Sequence, residues 1–345
     1  MNNERSTLSK IFYYLVIALS TIIILTSMLS LIYNIPKWYL KIMDFPRMQQ
    51  LILSLLLFLA FYLLNKKWSF ASYALTAGLV GAMVIHFGAI APYYVGGKTV
   101  SDVTESSVDE SNKVGVIIAN VLMTNRESAK MIEVVRATDP DMFLAMEVDD
   151  WWISELKTLE KDYAYTMIKP FDNAYGMALY SKYPLPNSEI KFLNHGRVPS
   201  FHTNVRLPSG REFRFYGVHP VPPIPSDKYP TNIGDKMWEK DKKEVELKIV
   251  GKMIANSKLP AMVAGDYNDV SWSQTSRMFG NEYKLRDTRI GRGLYNTFNA
   301  HSWLMRWPLD HYFVTKEFSV IKFERLDKVG SDHFPLYAEF EVGEK

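Results

Sequence analysis

The sequence predicts an α/β (α+β) protein in which three transmembrane helices precede two β-sheets that pack face to face under outer helices. Two features predict the sheets: apolar strands alternate with helical segments, and several short strands close the chain. Long uncharged runs in the first 95 residues predict the membrane helices. With 345 residues, the chain is long enough to bury a large core beside them.

The first 95 residues predict a membrane anchor with three spans. The runs 11–33 and 48–64 hold no charged residue, and the run 68–95 holds only His86. Each run is long enough to cross a hydrocarbon core of about 30 Å as a helix. A cleavable signal peptide is the alternative for the first run, but three successive runs favour spans.

Charge patterns indicate the orientation of the anchor and the nature of the segment after it. The segments predicted on the two sides of the membrane contain equal numbers of lysine and arginine residues. The short Lys66–Lys67 loop nevertheless favours a cytoplasmic N-terminus, which would place the following domain outside the cytoplasm. Residues 96–112 are rich in Gly, Ser, Asp and Glu, which predicts a flexible linker before a domain at 113–345.

Composition excludes some classes of function. The net charge is +3, but residues after 100 hold 32 basic and 35 acidic residues. This mild acidity argues against tight nonspecific nucleic-acid binding, although Arg286, Arg289 and Arg292 leave a nucleic-acid groove open as an alternative. The absence of cysteine excludes disulfides, thiolate zinc sites and thiol catalysis.

The domain begins with a predicted strand–helix–strand unit. VGVIIAN, 114–120, is a buried strand, and Thr124 with Glu127 predicts a capping box for the helix after it. Pro140 stops that helix, and MFLAME, 142–147, is the second strand. This order predicts a parallel pair joined by a right-handed crossover.

The later elements follow the same periodicities. Trp238, Val245, Ile249 and Met253 predict a long amphipathic helix, which leads into the strand AMVAGD at 261–266. The runs DHYFV, FSVIKFERL and FPLYAEFEV predict short strands at the end of the chain.

Polar side chains lie at the ends of these predicted strands. Those at carboxyl ends are Asn120, Glu147, His219 and Asp266, and those preceding strands are Asp310, Asp332 and His333. If neighbouring strands converge, these groups meet at one rim, where crowded carboxylates repel one another. A divalent cation relieves that repulsion, and oxygen ligands without thiolates suit Mg²⁺ or Mn²⁺.

Five short motifs occur in a characteristic order: NVLM at 120–123, MEV at 146–148, GDYN at 265–268, PLDH at 308–311 and SDH at 331–333. With them, residues 113–342 resemble the endonuclease/exonuclease/phosphatase superfamily, which includes DNase-I-like nucleases, abasic endonucleases, neutral sphingomyelinases and inositol-phosphate phosphatases. The three spans look like a bacterial membrane-anchored branch of it. The resemblance implies a four-layer α/β/β/α sandwich of two mixed sheets, in an integral protein of a bacterial plasma membrane.

The resemblance also implies a metal site. Glu147 would be the principal ligand, with Asn120 and Asp332 close to the metal directly or through water. Position 122 is Leu, where several nucleases place an acidic residue, so one contact would be missing or replaced by water. Asn120 as a strand cap bonded to the backbone stays open as an alternative.

Five further residues receive catalytic roles from the resemblance. Asp266 would orient or deprotonate the attacking water, and Asn268 would donate to a phosphoryl oxygen. His333, held by Asp310, would bind developing negative charge or shuttle a proton. His219 would be a second phosphate contact or the acid for the leaving oxygen, although no acidic partner for it is identifiable.

These inferences predict a membrane-tethered, Mg²⁺- or Mn²⁺-dependent hydrolase of phosphodiesters or phosphomonoesters, which acts through an activated water. The anchor and the acidic domain favour phospholipid head groups or small phosphoesters as substrates. A nuclease acting on DNA or RNA is the alternative, and a non-catalytic binding module on the same fold is the rival class. No organic cofactor or protein partner is predicted.

The run SWLMRW, 302–307, allows two interpretations because it lies just before Asp310. It is either ordinary hairpin packing or an apolar lip that dips into the bilayer beside the active site.

Overall fold

The computed structural model describes residues 6–32, 37–104, 107–194, 196–222 and 242–343, with the side chains of 242–244 left aside. The chain forms two compact units, Met1–Val95 and Gly96–Lys345.

The first unit is helical. Its α-helices are α1 (Thr7–Leu29), α2 (Trp38–Lys41), α3 (Arg47–Leu64) and α4 (Phe70–Tyr94). Helices α1, α3 and α4 are long and apolar enough to cross a membrane. They pack through a small apolar cluster that includes Val16, Leu57 and Leu79. Helix α1 begins and ends four residues earlier than predicted, so Lys10 lies in its first turn.

The second unit contains two six-stranded sheets and four α-helices among the described residues. The first sheet has the order β11-β12-β1-β2-β4-β3, with strands β1 (Lys113–Asn120), β2 (Met142–Met146), β3 (Tyr165–Lys169), β4 (Met177–Ser181), β11 (Phe318–Arg325) and β12 (Leu336–Val342). The second has the order β5-β6-β7-β8-β10-β9, with strands β5 (Glu189–Lys191), β6 (Ser200–Arg206), β7 (Glu212–Gly217), β8 (Ala261–Asp266), β9 (Arg286–Asp287) and β10 (Asp310–Val314). The helices are α5 (Ser128–Thr138), α6 (Asp150–Leu156), α7 (Lys242–Ala255) and α8 (Gln274–Glu282).

Three apolar layers hold this unit together. Side chains such as Ile118, Leu144 and Phe215 fill the space between the sheets. A second cluster joins the first sheet to α5 and α6, and a third joins the second sheet to α7 and α8. The result is the predicted four-layer α/β/β/α sandwich of two mixed sheets.

Strand direction brings the ends of the central strands to one rim. Strands β1 and β2 are parallel, with Asn120 opposite Met146, as the strand–helix–strand order predicts. Strands β7 and β8 are also parallel. Strand β10 runs antiparallel to β8 with Asp310 opposite Asp266, so the amino end of β10 reaches the same rim.

A buried tyrosine links the two sheets close to this rim. Tyr312 lies on β10 of the second sheet, and its hydroxyl points at two carbonyl oxygens of the first sheet, Val116 at 2.8 Å and Leu336 at 2.9 Å. Because the ring is fully buried, this contact replaces water for the hydroxyl and helps to align the sheets.

The predicted capping box is wrong. Glu127 is itself the cap of α5, and its side chain makes no capping hydrogen bond. Its carboxylate pairs with Lys130 instead, while its amide donates to Oδ1 of Asn125. The neighbouring asparagine therefore organises the turn, which a local motif at 124–127 does not reveal.

The predicted helix α7 is present, but its buried face is shifted from the predicted one. Val245 is exposed, Ile249 and Met253 are half-buried, and the buried positions include Glu246, Leu247 and Val250. Two apolar stripes with helical spacing run along this segment. Packing against the sheet buries the stripe that contains Leu247 and Val250. Trp238 lies outside the described residues.

Part of the predicted linker 96–112 is folded onto the domain. Val100 is fully buried in the core, and the amide of Val103 donates to the carbonyl of Val320 at 3.0 Å. Asp102 forms ion pairs with Lys98 and Arg292. The linker prediction is therefore wrong for residues 98–103, because one apolar residue and edge hydrogen bonds outweigh a polar composition.

Replacing Tyr312 with Phe should lower the stability of the domain. Loss of a buried hydroxyl contact costs about 1–2 kcal/mol, which at this size corresponds to about 2–4 °C in Tm per kcal/mol. Thermal unfolding of the full chain in detergent measures the effect. Tyr165→Phe is the control because Tyr165 is exposed, and equal Tm values for both variants would contradict the cross-sheet role.

Candidate active site

The rim is organised around the carboxylate of Asp266, which is fully buried at the end of β8. Its Oδ1 accepts from the amide of Asn268 at 2.7 Å, and its Oδ2 accepts from Nδ2 of Asn120 at 3.1 Å. Nε2 of His219 lies 3.5 Å and Nε2 of His333 lies 3.7 Å from the same Oδ2. Four separate chain segments thus surround one negative charge.

These contacts keep Asp266 ionised. Burial by itself raises the pKa of a carboxyl group. The positive charge of His333, the hydrogen bond and charge of His219, and the Asn268 amide outweigh burial and hold the pKa of Asp266 well below its usual range. The carboxylate is therefore a permanent acceptor at this rim.

The backbone before and after the strand ends is in unusual conformations. Gly265 has φ +147°, and a Cβ there would lie 1.9 Å from the carbonyl oxygen of Val218. Leu122, Glu147 and Asn268 follow three of the converging strands and all have left-handed φ values, between 52° and 61°. Strained non-glycine residues of this kind cluster at functional sites in proteins.

His333 and Asp310 form a buried pair. Nδ1 of His333 lies 2.8 Å from Oδ2 of Asp310, as the predicted roles require. Burial favours the neutral imidazole, but the carboxylates of Asp310 and Asp266 outweigh burial and raise the pKa of His333 to about 10. The imidazole thus carries a proton on Nε2 that points into the rim.

His219 is fully buried on the other side of Asp266. Burial lowers its pKa, but the hydrogen bond and charge of Asp266 dominate and raise the pKa above its usual value. Nδ1 of His219 has no hydrogen-bond partner in the described part of the chain. Asn268 lies next to this group, and its Nδ2 donates to the carbonyl of Pro220 at 3.1 Å, so one of its two amide hydrogens is already used.

The predicted metal ligands lie on the first sheet's side of the rim. Oε1 of Glu147 accepts from Nδ2 of Asn120 at 2.8 Å, and Oε2 faces the amide of Met123 at 3.4 Å. Burial first and the charge of Asp332 in addition raise the pKa of Glu147, while His219 and Asn120 oppose the increase. Asn120 therefore acts both as a strand cap, through its bond from the amide of Leu122, and as a link between two carboxylates.

The donor set fits a hard divalent cation. The rim contains four carboxyl groups and two imidazoles: Glu147, Asp266, Asp310, Asp332, His219 and His333. If all six groups are charged, the carboxylates exceed the imidazoles by two negative charges. Asp266, Asp310 and His333 have ligand atoms within 4.8 Å of one another. Together with His219, which also faces Asp266, that cluster has two imidazoles for its two carboxylates. Glu147 and Asp332, whose charges oppose one another, are thus the carboxylates that would hold a cation.

Comparison with known proteins gives the family of this domain and its fold. The family model described as "Endonuclease/Exonuclease/phosphatase family" matches residues 117–333, which is more than half of the chain. The chain belongs to the endonuclease/exonuclease/phosphatase family. Comparison with curated protein sequences finds no match.

Solved structures of this family share the fold of the second unit. D. rerio TDP2, humanized by 14 mutations, is 15% identical with a TM-score of 0.54, covering 67% of this chain and 100% of its own. The human nocturnin catalytic domain with bound sulfate is 18% identical with a TM-score of 0.53, and the match covers 71% of this chain and 97% of the nocturnin chain. The endonuclease/exonuclease/phosphatase from Beutenbergia cavernae is 18% identical with a TM-score of 0.52, and the match covers 67% of this chain and 72% of the Beutenbergia chain.

The arginines that left a nucleic-acid groove open are mostly structural. Arg289 is fully buried and bonds the carbonyls of Leu294 and Asp310. Arg292 pairs with Asp102 and bonds backbone carbonyls. Two of the three arginines are therefore bonded inside the domain, whereas Arg286 lines a surface cavity with Arg277 and Lys284.

Sequence reasoning missed one buried acid near the site. Glu246 on α7 is only 3% exposed, its Oε1 has no partner in the described part of the chain, and it interacts electrostatically with His219. The acidic partner of His219 that the sequence did not identify is Asp266, at 3.5 Å, and Glu246 is a further buried acid that senses the charge of His219. A glutamate between two apolar stripes of one helix was the available signal.

Gly265→Ala should disrupt the domain because its Cβ would overlap the Val218 carbonyl oxygen. The expected loss is about 3 kcal/mol or more in the free energy of unfolding, seen as a lower Tm or failure to fold. Gly196→Ala is the control, since a Cβ there meets nothing within 4 Å. An unchanged Tm for Gly265→Ala would contradict the close approach of these two strands.

Glu246 should make stability depend on pH. Burial raises its pKa from 4.5 to about 8, with the charge of His219 opposing this. Between these values the unfolded chain loses the proton that the folded chain keeps, so stability falls as pH rises, by at most about 1.4 kcal/mol per pH unit. Glu246→Gln should leave Tm unchanged below pH 4.5 and raise it near pH 8, whereas exposed Glu160→Gln should not. A Tm difference independent of pH would contradict this burial effect.

Proposed function

We propose that this protein is a membrane-tethered, divalent-metal-dependent hydrolase of phosphoester bonds. The observation that carries the proposal is the buried Asp266 carboxylate, which is shared by His219, His333, Asn120 and the Asn268 amide. Members of this family are generally hydrolases of phosphoester bonds.

Asp266 would hold the attacking water. Its ionised carboxylate accepts a hydrogen bond from water and orients the oxygen toward phosphorus. The oxygen of the water bonds to phosphorus and gives up one proton to solvent, one P–O ester bond breaks, and the leaving alcohol takes a proton from His219, which solvent then reprotonates. The strongly lowered pKa of Asp266 suits orientation of the water better than full removal of its proton.

Two protonated imidazoles would stabilise the charge that develops. His333 presents its Nε2–H to a phosphoryl oxygen and is held in this orientation by Asp310. His219 lies across Asp266 and would provide the proton for the leaving oxygen. The second amide hydrogen of Asn268 is available for another phosphoryl oxygen.

Glu147, Asn120 and Asp332 would hold the Mg²⁺ or Mn²⁺. When bound, the cation would polarise a phosphoryl oxygen and offset its negative charge. These residues would keep the cation on the first sheet's side of the rim, across from the imidazoles. Their carboxylate and amide oxygens are the ligands that both ions prefer.

The tether is supported by α1, α3 and α4, each long and apolar enough to span a bilayer. An extracytoplasmic domain at a bacterial plasma membrane remains the proposed orientation. It is tested by reporter fusions at the C-terminus, where activity restricted to a periplasmic reporter is expected. A cytoplasmic signal would reverse the orientation without affecting the proposed chemistry.

Turnover of bis-p-nitrophenyl phosphate by the full chain in detergent tests the chemistry. Activity should vanish with EDTA and return with Mn²⁺, and Asp266→Asn and His333→Gln should each lower kcat about 10²-fold or more. Exposed His301→Gln is the matched histidine control and should leave kcat unchanged.

Two other outcomes identify the rivals. Absence of metal-dependent turnover on a broad panel of phosphoesters would favour a non-catalytic binding module on the same fold. Turnover confined to DNA or RNA would favour the nuclease alternative. D. rerio TDP2 has been solved with a single-strand DNA product, which justifies including that substrate.

A further inference from the structure

The residues 298–307 form an ordered hairpin beside the active site, named here the apolar hairpin. The amide of Phe298 donates to the carbonyl of Trp307 at 2.9 Å, and that of Asn299 donates to the carbonyl of Met305 at 3.2 Å. The amide of Met305 also donates to Oγ of Ser302 at 2.9 Å. The tip is therefore held in one shape by its own hydrogen bonds.

The tip exposes three consecutive large apolar side chains. Trp303 is 85% exposed, Leu304 54% and Met305 46%. Other exposed large apolar residues of this unit are isolated or less exposed, such as Tyr165 at 41%. An exposed apolar cluster on an ordered loop indicates a binding surface.

The base of the hairpin contacts the catalytic rim. The ring of Phe298 lies 5.0 Å from that of His333, and the amide of Ala300 donates to the carbonyl of Asp332 at 2.7 Å. A partner bound at the tip is therefore delivered next to the proposed phosphate-binding groups.

Two arginines flank the base without carboxylate partners. Arg306 and Arg325 lie 5.0 Å and 4.4 Å from the ring centre of Phe334, and neither forms an ion pair within the described ranges. Burial and then the charge of Arg306 lower the pKa of Arg325, so the two cations repel one another. Such a pair is stabilised by an anionic group, which lipid phosphates provide.

We propose that the apolar hairpin inserts its tip into the head-group region of a lipid bilayer, and that the adjacent site hydrolyses a phosphoester carried by a membrane lipid. Tryptophan prefers this interfacial depth, and arginines at the base match the level of lipid phosphates. A bilayer is the committed partner because the same chain carries three helices able to span one. The substrate half of the proposal rests on the proposed function.

Insertion is tested by site-specific labelling, which is simple because the chain contains no cysteine. Leu304→Cys carries an environment-sensitive fluorophore in the full chain, reconstituted in phosphatidylcholine vesicles with a minority of phosphatidylglycerol. Brominated lipids should quench this label strongly and should spare a label at Ile190→Cys, an exposed apolar position on the edge strand β5. Equal quenching at both positions would overturn the insertion.

The substrate half is tested with the same vesicles. Trp303→Ser with Leu304→Ser should lower hydrolysis of vesicle phospholipid about tenfold or more, because the inserted tip would lose two apolar side chains whose transfer out of water is favourable. Turnover of water-soluble bis-p-nitrophenyl phosphate should stay the same, and Tyr165→Ser should affect neither substrate. Equal effects on both substrates would overturn the assignment of lipid as substrate.

The outcomes distinguish this proposal from the proposed function. If the wild-type chain hydrolyses neither substrate in the presence of Mn²⁺, the hydrolase assignment fails, while the quenching result still decides insertion. If it hydrolyses bis-p-nitrophenyl phosphate but no lipid, the hydrolase assignment stands and the lipid substrate is rejected.

Discussion

The burial of one negative charge constrains this domain more than any other interaction. Asp266 lies away from water, and an isolated carboxylate in that position would be very costly. Its partners come from β1, from the segment after β7, from its own strand end and from the segment before β12. Because these segments belong to both sheets, satisfying Asp266 also sets how the sheets meet.

The charge balance at the rim fits the proposed hydrolysis. Neighbouring carboxylates raise the pKa of both imidazoles, which places proton donors beside fixed acceptors. A phosphoryl group that enters would find both signs of charge already oriented, and such preorganisation lowers a barrier without rearrangement. On the other side of the rim, the charge of Asp332 acts on Glu147, where the proposed cation would bind.

In the proposed arrangement, two independent features would join this rim to a membrane. Helices α1, α3 and α4 would supply a tether, and the apolar hairpin would supply a surface whose base contacts His333 and Asp332. A tether raises the local concentration of lipid near the domain, whereas an interfacial hairpin would select the orientation in which the rim faces it. Neither depends on a basic groove, which agrees with the buried, internally bonded Arg289.

Much of the fold and of the candidate site follows from local patterns. The strands that end in Asn120, Glu147 and Asp266 are apolar runs, and their parallel order follows from the helix between them and the handedness of the crossover. Once strands converge, their polar ends meet, so the site residues could be collected by position. The long apolar helices are likewise evident, because hydrophobic length is a property of contiguous sequence.

Tertiary structure decided what depends on the neighbours of each residue. Packing chose the Leu247 stripe of α7 over the Val245 stripe, turned Arg289 into a core residue, and attached Val100 to the domain. It also placed Glu246 near His219 and left Trp303 exposed to solvent. Helical periodicity predicts that one face of a helix is buried. Which face that is, and which charged residue is buried with it, depends on the surface against which the helix packs.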